Sequence, residues 1–575
     1  MTHNDVVLEQ LAREVLMLDE SGQSLIPKYE SIIEKGIPNQ LPPDAKRKDV
    51  LIIGAGMAGL LAGKILKDTG YNITILEAND NRLGGRIKTF RTSPEGDYGF
   101  SDPKQYGEAG AMRIPTTHPL VKKLIDTLNL RSKAQFFYNI DVSKNDPNEQ
   151  VYHTWLKTNG RQNRRIEYNT SMHPAEDTGF QIPPEYAEKS AAQLLTQALS
   201  TVNKLIDPTQ SIDKQINGWK EIIRQYDSYS MYHFLRDEAN FPEQVIDYIG
   251  TLQNLTSRMF ISFFHSFVDT FYINPQTKYL ELDGGLWQLP YTLSESLKEN
   301  IVMDARAIEI QWSDPHTEKQ DSKAIHRGSP GVYVRTINEP IIKHGVARPG
   351  RVRVEREFTA DYLIITIPFS ALRFVSVNPE FRYEKRRAIM ELHYDSATKI
   401  YLEFNERFWE WNEEEWRNHL GDEYRGHDAY GGGSITDTPN RFIYYPSHKV
   451  EGSRGGVILA SYTWADEANR WDSIPLEDRY NFALKGLTDI YGKGIKKFFT
   501  GVGRSESWMQ DYYAYGEAAV FTPGQLTALH PHIPTPEGPV HFAGEHTSLK
   551  HAWIEGAIES AIRVALEIHD GTKGL

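Results

Sequence analysis

The sequence predicts a mixed α/β fold. A continuous apolar run at residues 50–53 leads into a glycine-rich turn and an apolar helical stripe, as expected for a buried parallel strand followed by a helix. Residues 540–568 repeat this order of strand, turn and helix near the other end of the chain. Between them, short β-branched runs separated by turn residues predict further strands. The 575 residues, of which 39% are hydrophobic, suffice for several domains.

The composition excludes several classes of protein. Asp and Glu outnumber Lys and Arg by 77 to 64, and no long basic run occurs, which argues against sequence-independent binding to nucleic acid or anionic membranes. With 0 Cys, the chain has no disulfide, thiolate nucleophile, cysteinyl metal site or cysteine-linked cofactor. Residues 1–22 lack the unbroken apolar core of a signal peptide, and no apolar run reaches the roughly 18 to 20 residues of a membrane span. We therefore expect a cytoplasmic protein without membrane or nucleic acid partners.

Helical patterns concentrate in two parts of the chain. Near the N-terminus, apolar residues at three- and four-residue spacing predict a short helix that ends near Gly22, and a second helix ends at Gly36. From residue 183 to residue 255 the pattern predicts an inserted helical subdomain, in which Asp207 and Pro208 interrupt one apolar face. Strands are predicted at residues 332–337, 362–367, 399–404, 441–445 and 457–462.

The turn after the first buried strand has the G-x-G-x-x-G spacing of a nucleotide-binding β-α-β unit. Gly54 permits the tight turn, Gly56 lets the backbone approach a pyrophosphate, and Gly59 allows the helix to pack closely on the strand. The helix N-terminus supplies amide donors and a positive dipole. Glu77 ends the second strand, where a carboxylate accepts hydrogen bonds from ribose hydroxyls and repels the extra phosphate of NADP. The motif is compatible with both NAD and FAD.

Two further segments favour FAD. Gly84, Gly85 and Arg86 form a turn that resembles the pattern of the flavin amine oxidase family, in which it lies along the pyrophosphate and the flavin. Glu545 and the helix N-terminus around Trp553 are similar to the family's second flavin-binding segment, in which the helix dipole faces the pyrimidine end of the isoalloxazine. The resemblance implies a non-covalently bound FAD.

The resemblance also implies the domain organisation. It predicts a Rossmann-like FAD-binding domain of the glutathione-reductase and amine-oxidase type, interleaved with a mixed-sheet substrate domain and a helical subdomain. The expected segments are an N-terminal helical extension at 1–44, the FAD-binding domain at 45–95, 281–390 and 533–575, the substrate-binding domain at 96–140, 266–280 and 391–532, and the helical subdomain at 141–265.

Residues 108–115 resemble the L-amino acid oxidase motif in which Arg113 binds the substrate carboxylate. A planar guanidinium suits this role because it can form two parallel charge-assisted hydrogen bonds to a carboxylate. By the same resemblance, Tyr462 places its hydroxyl on that carboxylate and Lys399 holds a water beside flavin N5. Trp553 lines the substrate cavity, with the carbonyl of Ala552 near the amino group. The residue pattern alone is also compatible with Tyr462 as a half-buried strand tyrosine and Lys399 as an edge-strand lysine.

The candidate site residues follow from these segments. The catalytic candidates are Lys399, Arg113, Tyr462 and Trp553, and the substrate-binding candidates are Arg113, Tyr462, Ala552 and Trp553. The cofactor-binding candidates are Gly54, Gly56, Met57, Ala58, Gly59, Glu77, Ala78, Gly84, Gly85, Arg86, Gly110, Ala111, Met112, Arg113, Ala307, Gly544, Glu545, Trp553 and Ile554.

The histidines do not predict a metal site. His541, His546 and His551 recur every five residues, which suits neither one helix face nor a metal triad, and we interpret them as packing or surface residues. The segment around His265 has a strand-like composition, and no role is assigned to His265.

The resemblance extends over about residues 29–570 and implies an FAD-dependent L-amino acid oxidase. Hydride transfer from Cα to flavin N5 would give an imino acid, which hydrolyses to a 2-oxo acid and ammonia, while oxygen is reduced to hydrogen peroxide. We expect aromatic or broadly hydrophobic L-amino acids as substrates and a homodimer. The alternatives are an amino acid 2-monooxygenase that forms an amide, an amine or polyamine oxidase, and a non-catalytic FAD-binding escort protein.

Overall fold

The computed structural model has the mixed α/β fold that the sequence predicts. The residues that the structure describes are 3–42, 46–93, 96–97, 99–273, 277–313, 331–338, 342–343, 346–347, 352–421 and 423–571. The predicted domain boundary between residues 44 and 45 lies outside these ranges.

A parallel five-stranded sheet brings the two ends of the chain together. Its strands, in spatial order, are Ile301–Val302, Asn72–Leu76, Asp49–Ile53, Tyr362–Ile365 and Val540–Phe542. Helices Met57–Thr69 and Ile554–Asp570 pack against each other on one face of this sheet. Residues 50–53 are apolar throughout because alternate side chains enter separate cores on the two faces of the sheet.

A seven-stranded sheet forms the second large layer. Its strands, in spatial order, are Arg161–Arg164, Trp155–Thr158, Gly433–Thr436, Phe442–Tyr444, Gly456–Trp464, Ala397–Phe404 and Phe499–Ser507. The first two strands in this order, at residues 155–164, fall within the segment 141–265, which the sequence assigned to the helical subdomain. The domain boundaries remain a prediction.

Smaller sheets connect these layers. A four-stranded sheet contains Glu355–Ala360, Val332–Ile337, Arg306–Trp312 and Ser376–Asn378, and a three-stranded sheet contains Ile114–Pro115, Tyr279–Leu282 and Ala134–Phe137. Strand pairs join Thr89–Phe90 with Gly107–Glu108, Thr92–Ser93 with Gly96–Asp97, Val142–Ser143 with Ala429–Tyr430, Ile342–Lys343 with Val346–Ala347, and Tyr394–Asp395 with Ala518–Ala519.

Helices cover the N-terminus and form a layer beside the seven-stranded sheet. The N-terminal helices are His3–Val15 and Ile26–Lys35, and the helical layer contains Arg165–Thr170, Pro174–Asp177, Pro184–Ala187, Ala191–Asn203, Ile212–Tyr226, Met231–His233, Glu243–Leu252 and Phe263–Tyr272. The other α-helices of the described chain are Pro119–Thr127, Gln288–Ser294, Phe369–Leu372, Tyr383–Glu391, Glu413–Leu420, Ala465–Asp472, Leu476–Tyr491 and Gln525–Leu529.

The helix boundaries differ from the sequence expectation at two points. The first helix ends at Val15 rather than near Gly22, and residues 16–25 form a turn that pairs Leu18 with Ser24. The strand-like interpretation around His265 is wrong, because this segment is the helix Phe263–Tyr272. Its aromatic side chains favour strands by residue type, but a buried helical core accommodates them here.

Among the described residues, no helix has both the length and the apolar character needed to cross a membrane.

Candidate active site

One cavity of about 280 Å³ lies between the parallel sheet and the seven-stranded sheet. All but one of the residues predicted for the site line this cavity, although they come from segments far apart in the chain. Gly59 is the exception. The lining residues from the predicted set are Gly54, Gly56, Met57, Ala58, Glu77, Ala78, Gly84, Gly85, Arg86, Gly110, Ala111, Met112, Arg113, Ala307, Lys399, Tyr462, Gly544, Glu545, Ala552, Trp553 and Ile554.

The glycines of the first turn have different roles. Gly54 has a φ of +106°, which side chains rarely tolerate, and Gly56 caps the N-terminus of the helix Met57–Thr69. A Cβ added at Gly56 would meet no atom within 4 Å, so this backbone borders open space. A Cβ at Gly59 would lie 2.0 Å from the carbonyl oxygen of Gly54. Gly59 therefore permits helix packing, whereas Gly56 leaves room for a ligand.

Glu77 stabilises the turn as well as lining the cavity. Its buried carboxylate accepts a hydrogen bond from the backbone N–H of Ala55 through Oε2, at 2.9 Å. Oε1 accepts hydrogen bonds from the backbone and side-chain amides of Asn79, both at 2.8 Å. The charged carboxylate thus fixes the shape of the glycine turn, a role that the sequence reasoning did not include.

The second glycine turn connects to the C-terminal motif through an ion pair. Arg86 Nη1 lies 2.7 Å from Glu545 Oε1, and the Glu545 carboxylate also accepts hydrogen bonds from the backbone N–H groups of Ala519 and Ala552. Although burial raises the pKa of Glu545, the Arg86 guanidinium outweighs this effect and holds the pKa below its ordinary value. Three separate segments are therefore fixed around one carboxylate.

The residues present fit FAD. The open backbone at Gly56 and the N-terminus of its helix provide amide donors for a pyrophosphate. The 17-residue helix Ile554–Asp570 also begins beside the lining residue Trp553, so its positive dipole faces the same cavity. Ala552, just before it, has a φ of +64°, which marks a constrained turn at this helix N-terminus.

Arg113 is oriented by neutral partners. Its Nη1 donates hydrogen bonds to Asn139 Oδ1 at 2.6 Å and to the Tyr444 hydroxyl at 2.7 Å, and its guanidinium lies 5.1 Å from the ring centroid of Tyr279. Within the described chain, no carboxylate lies at ion-pair distance from Arg113. The guanidinium therefore keeps an uncompensated positive charge on the cavity wall.

Lys399 and Tyr462 face the cavity from neighbouring strands, because the antiparallel register places them directly opposite each other. Lys399 Nζ donates hydrogen bonds to the carbonyl oxygens of Glu108 at 2.9 Å and Gly110 at 2.6 Å, and it lies 4.7 Å from the ring centroid of Tyr462. Lys399 is therefore not an edge-strand lysine. Burial lowers the pKa of Lys399 to about 7, so its charge is finely balanced at neutral pH.

The sequence did not predict several charged side chains that line the cavity, among them Arg258, Asp269 and Glu517. Arg258 Nη1 donates to Asp269 Oδ2 at 3.1 Å, and its guanidinium lies 5.2 Å from the ring of Trp464. Arg258 Nε is buried and has no hydrogen-bond partner among the described residues. No local pattern distinguishes these residues from other charged positions in the sequence.

The histidines are buried rather than exposed. His265 and His551 line a small side cavity next to the main one, together with Asp269. His541, His546 and His551 are each less than 9% exposed, which supports packing positions and excludes surface ones. Burial lowers the pKa of His546 to about 3 and that of His551 to about 4, so both rings are neutral near pH 7.

A family model described as flavin containing amine oxidoreductase matches residues 57–569. The chain belongs to this family. Its cofactor is FAD, as the two glycine turns and the C-terminal helix predict.

Similar proteins include several amino acid oxidases. An L-glutamate oxidase precursor of Streptomyces viridosporus is 42% identical, covering 97% of this chain and 91% of that protein. A putative L-amino-acid oxidase of Bacillus subtilis is 36% identical over 93% of this chain and 97% of its own length. An L-amino-acid oxidase of Siganus canaliculatus is 31% identical, covering 95% of this chain and 89% of that protein.

Solved structures share the fold at low sequence identity. A putrescine oxidase is 19% identical with a TM-score of 0.61, and the match covers 92% of this chain and 99% of that chain. A cyclohexylamine oxidase from Brevibacterium oxydans is 16% identical with a TM-score of 0.60, covering 91% and 100%.

Proposed function

We propose that this chain catalyses the oxidative deamination of an L-amino acid with an acidic side chain, of which L-glutamate is the first to test. The products are the 2-oxo acid, ammonia and hydrogen peroxide, with oxygen as the electron acceptor. The observation that carries the proposal is that Arg113 and Arg258 both line the FAD-binding cavity. L-glutamate oxidases among the relatives support the same substrate.

The first carboxylate is assigned to Arg113. Its Nη1 is already held by Asn139 and Tyr444, so the guanidinium is oriented before the substrate arrives. Charge-assisted hydrogen bonds to the α-carboxylate, with a further one from Tyr462, determine which face of Cα points towards the flavin. An amine without this carboxylate leaves Arg113 unpaired, which argues against the amine oxidase alternative.

The second carboxylate is assigned to Arg258. Its pairing with Asp269 uses Nη1 and leaves the buried Nε without a partner in the described part of the chain. A buried donor of a charged group is costly to leave unpaired, and a side-chain carboxylate would satisfy it. The rings of Trp464 and Trp553 line the same cavity and can contact the methylene groups of such a substrate.

The aromatic preference expected from the sequence loses its main support. The aromatic residues between 259 and 279 that suggested it include Phe263, Phe264 and Phe267, which lie in the helical core rather than on the cavity. Aromatic and hydrophobic L-amino acids therefore become the second candidate class, favoured by aromatic residues of the cavity such as Trp464 and Trp553.

The protein's part in the reaction is orientation and electrostatics. Bound FAD supplies the two-electron acceptor for the Cα hydride. Arg113, Tyr462 and Arg258 hold the two carboxylates, and the carbonyl of Ala552 accepts a hydrogen bond from the amino group. Lys399, on the strand paired with that of Tyr462, contributes a titratable ammonium group. That Lys399 holds a water beside flavin N5 and that the chain is a homodimer stay predictions.

A substrate panel tests the proposal. We expect peroxide formation with L-glutamate to exceed that with L-norvaline, which has the same chain length without the carboxylate, and that with L-phenylalanine, L-lysine and 4-aminobutanoate. The product 2-oxoglutarate identifies an oxidase, whereas an amide identifies the 2-monooxygenase alternative. Peroxide formation only with amines, or with none of these compounds, would refute the proposal.

A substitution at Arg258 tests the side-chain assignment. Arg258→Met should lower kcat/KM for L-glutamate by about 30-fold to a few thousand-fold, since truncating a buried charge pair costs about 2 to 5 kcal/mol. The value for L-norvaline should be retained or increase. Arg131→Met is the matched control, because Arg131 is 64% exposed and lies outside the cavity. An equal loss for both substrates would mean that Arg258 has a structural role instead.

A further inference from the structure

Glu517 is a buried carboxyl group that no step so far uses. Its backbone is fixed on both sides, because its N–H donates to Asp395 O at 2.8 Å and its carbonyl accepts Arg86 Nη1 at 2.9 Å. Its side chain lines the main cavity, yet Oε2 has no hydrogen-bond partner within the described chain. A carboxyl group buried without a partner is destabilising, which indicates a partner that arrives with the substrate.

The position of Glu517 places it near the substrate amino group. Ala519, two residues further along, and Ala552 both donate backbone N–H groups to Glu545, so the Glu517 segment lies next to the turn assigned to the amino group. Glu517 interacts electrostatically with six charged or titratable groups: Arg86, Arg258, Asp395, Lys399, Tyr462 and Glu545. Glu517 thus interacts with Tyr462 and Lys399, which are assigned to the α-carboxylate and the flavin, and also with Arg258 at the side-chain end.

The other acid-base groups near the cavity are engaged or are weak bases. His118 lines the cavity, and its buried Nε2 has no hydrogen-bond partner among the described residues, but burial lowers the pKa of His118 to about 3. Lys399 Nζ already donates hydrogen bonds to the carbonyl oxygens of Glu108 and Gly110. The Asp269 carboxylate accepts hydrogen bonds from Arg258 and from Trp553 Nε1. His265 does not line the main cavity and contacts the small side cavity instead. Among the described carboxyl groups that line the cavity, Glu517 has a buried oxygen, Oε2, without a hydrogen-bond partner.

We propose, on the basis of the amino acid oxidation proposed above, that Glu517 binds the substrate ammonium group and accepts one of its protons. The N–H bond breaks, its electron pair stays on nitrogen, and the proton forms an O–H bond with the Glu517 carboxylate. The resulting neutral amine is the form from which hydride can leave Cα, because the nitrogen lone pair stabilises the developing cation. After product release, the proton passes from Glu517 to solvent.

The electrostatic environment supports this role. Burial raises the pKa of Glu517 to about 7, which Arg258 and Arg86 partly oppose and Asp395 and Glu545 reinforce. A general base works best when its pKa lies near the operating pH. Below pH 7 a growing share of the enzyme carries a protonated Glu517, which cannot accept the ammonium proton.

The test is the rate of anaerobic flavin reduction by L-glutamate as a function of pH in Glu517→Gln. We expect this rate to fall by about 100-fold or more at pH 7, the usual contribution of a positioned general base. Without the Glu517 carboxylate, flavin reduction should depend on the fraction of L-glutamate whose amino group is already neutral. The reduction rate should therefore rise about tenfold per pH unit and approach the wild-type rate at alkaline pH. Binding of glutarate, which has no amino group, should be at least as tight as in the wild type by calorimetry.

Glu555→Gln is the matched control. Glu555 is more fully buried than Glu517, and burial also raises its pKa to about 7, but its carboxylate does not line the cavity and accepts hydrogen bonds from the backbone N–H groups of Leu120 and Val121. Glu555→Gln should keep the wild-type dependence of the flavin reduction rate on pH.

The outcomes separate this inference from the proposed function. If no L-amino acid reduces the wild-type flavin, the proposed function fails. If the wild type is reduced and Glu517→Gln keeps its rate and pH profile, Glu517 is not the proton acceptor. Should Glu517→Gln fail to hold FAD, Glu517→Asp decides: a slower reaction that keeps the acid limb of the pH profile supports the inference, and an unchanged rate overturns it.

Discussion

Arg113→Ala removes the group assigned to the α-carboxylate, and the structure allows its cost to be worked out. The guanidinium has neutral partners and, among the described residues, no carboxylate within ion-pair distance, so its full charge is available to the substrate. Two charge-assisted hydrogen bonds at about 1.5 to 3 kcal/mol each amount to about 3 to 6 kcal/mol. We therefore expect kcat/KM for L-glutamate to fall by about 10² to 10⁴-fold.

The assay is steady-state peroxide formation with the FAD-loaded variant, whose visible absorbance verifies that the cofactor is retained. Arg113→Lys should fall between wild type and alanine, because a lysine keeps the charge but loses the planar two-bond geometry. Arg131→Ala, at an exposed position outside the cavity, should match the wild type. An unchanged kcat/KM in Arg113→Ala would refute the carboxylate assignment.

Two further predictions follow from the glycine turn and from burial. Gly56→Ala should leave the apoprotein folded, because the added Cβ meets no atom within 4 Å, but it should weaken FAD binding. Gly59→Ala should lower the free energy of unfolding, typically by about 1 to 3 kcal/mol, because its Cβ would overlap the carbonyl oxygen of Gly54. Titrating FAD into each apoprotein and recording its thermal unfolding distinguishes weaker cofactor binding from lower stability. The same change in both variants would contradict the two predictions. Because the pKa of Glu517 is raised from 4.5 to about 7 in the folded state, its contribution to stability is present below pH 4.5 and is lost as pH rises through 7. Glu517→Gln should flatten the fall in apoprotein Tm across that window, and a wild-type slope would show that Glu517 titrates normally.

The cofactor site was predictable because its signals are local. An unbroken apolar run at residues 50–53 reflects burial on both faces of the parallel sheet. The glycines after it are required by a φ of +106° at Gly54 and by a close backbone contact at Gly59. Such constraints restrict the residue type at positions only a few residues apart, so the sequence itself reveals them. The strand register likewise explains why Lys399 and Tyr462, predicted separately, face the same cavity.

The substrate end of the cavity was much less predictable. Arg258 is the last residue of a short 3-10 helix, Glu517 precedes a two-residue strand, and Asp269 lies within an α-helix, so only tertiary packing brings them together. Each is a single charged residue without periodic context. The aromatic helix Phe263–Tyr272 misled the reasoning for the converse reason, because its aromatic residues belong to the core while Asp269 faces the cavity.

The proposed function requires FAD and an acidic L-amino acid to meet in one cavity, which Arg113 and Arg258 both line. The most direct measurement is the visible absorbance of the purified FAD-bound protein after L-glutamate is added without oxygen. The flavin should bleach rapidly, and admitting air should restore the yellow colour with formation of one equivalent of hydrogen peroxide. A protein that binds no flavin, or a yellow protein that L-glutamate and other L-amino acids leave unbleached, would contradict the account.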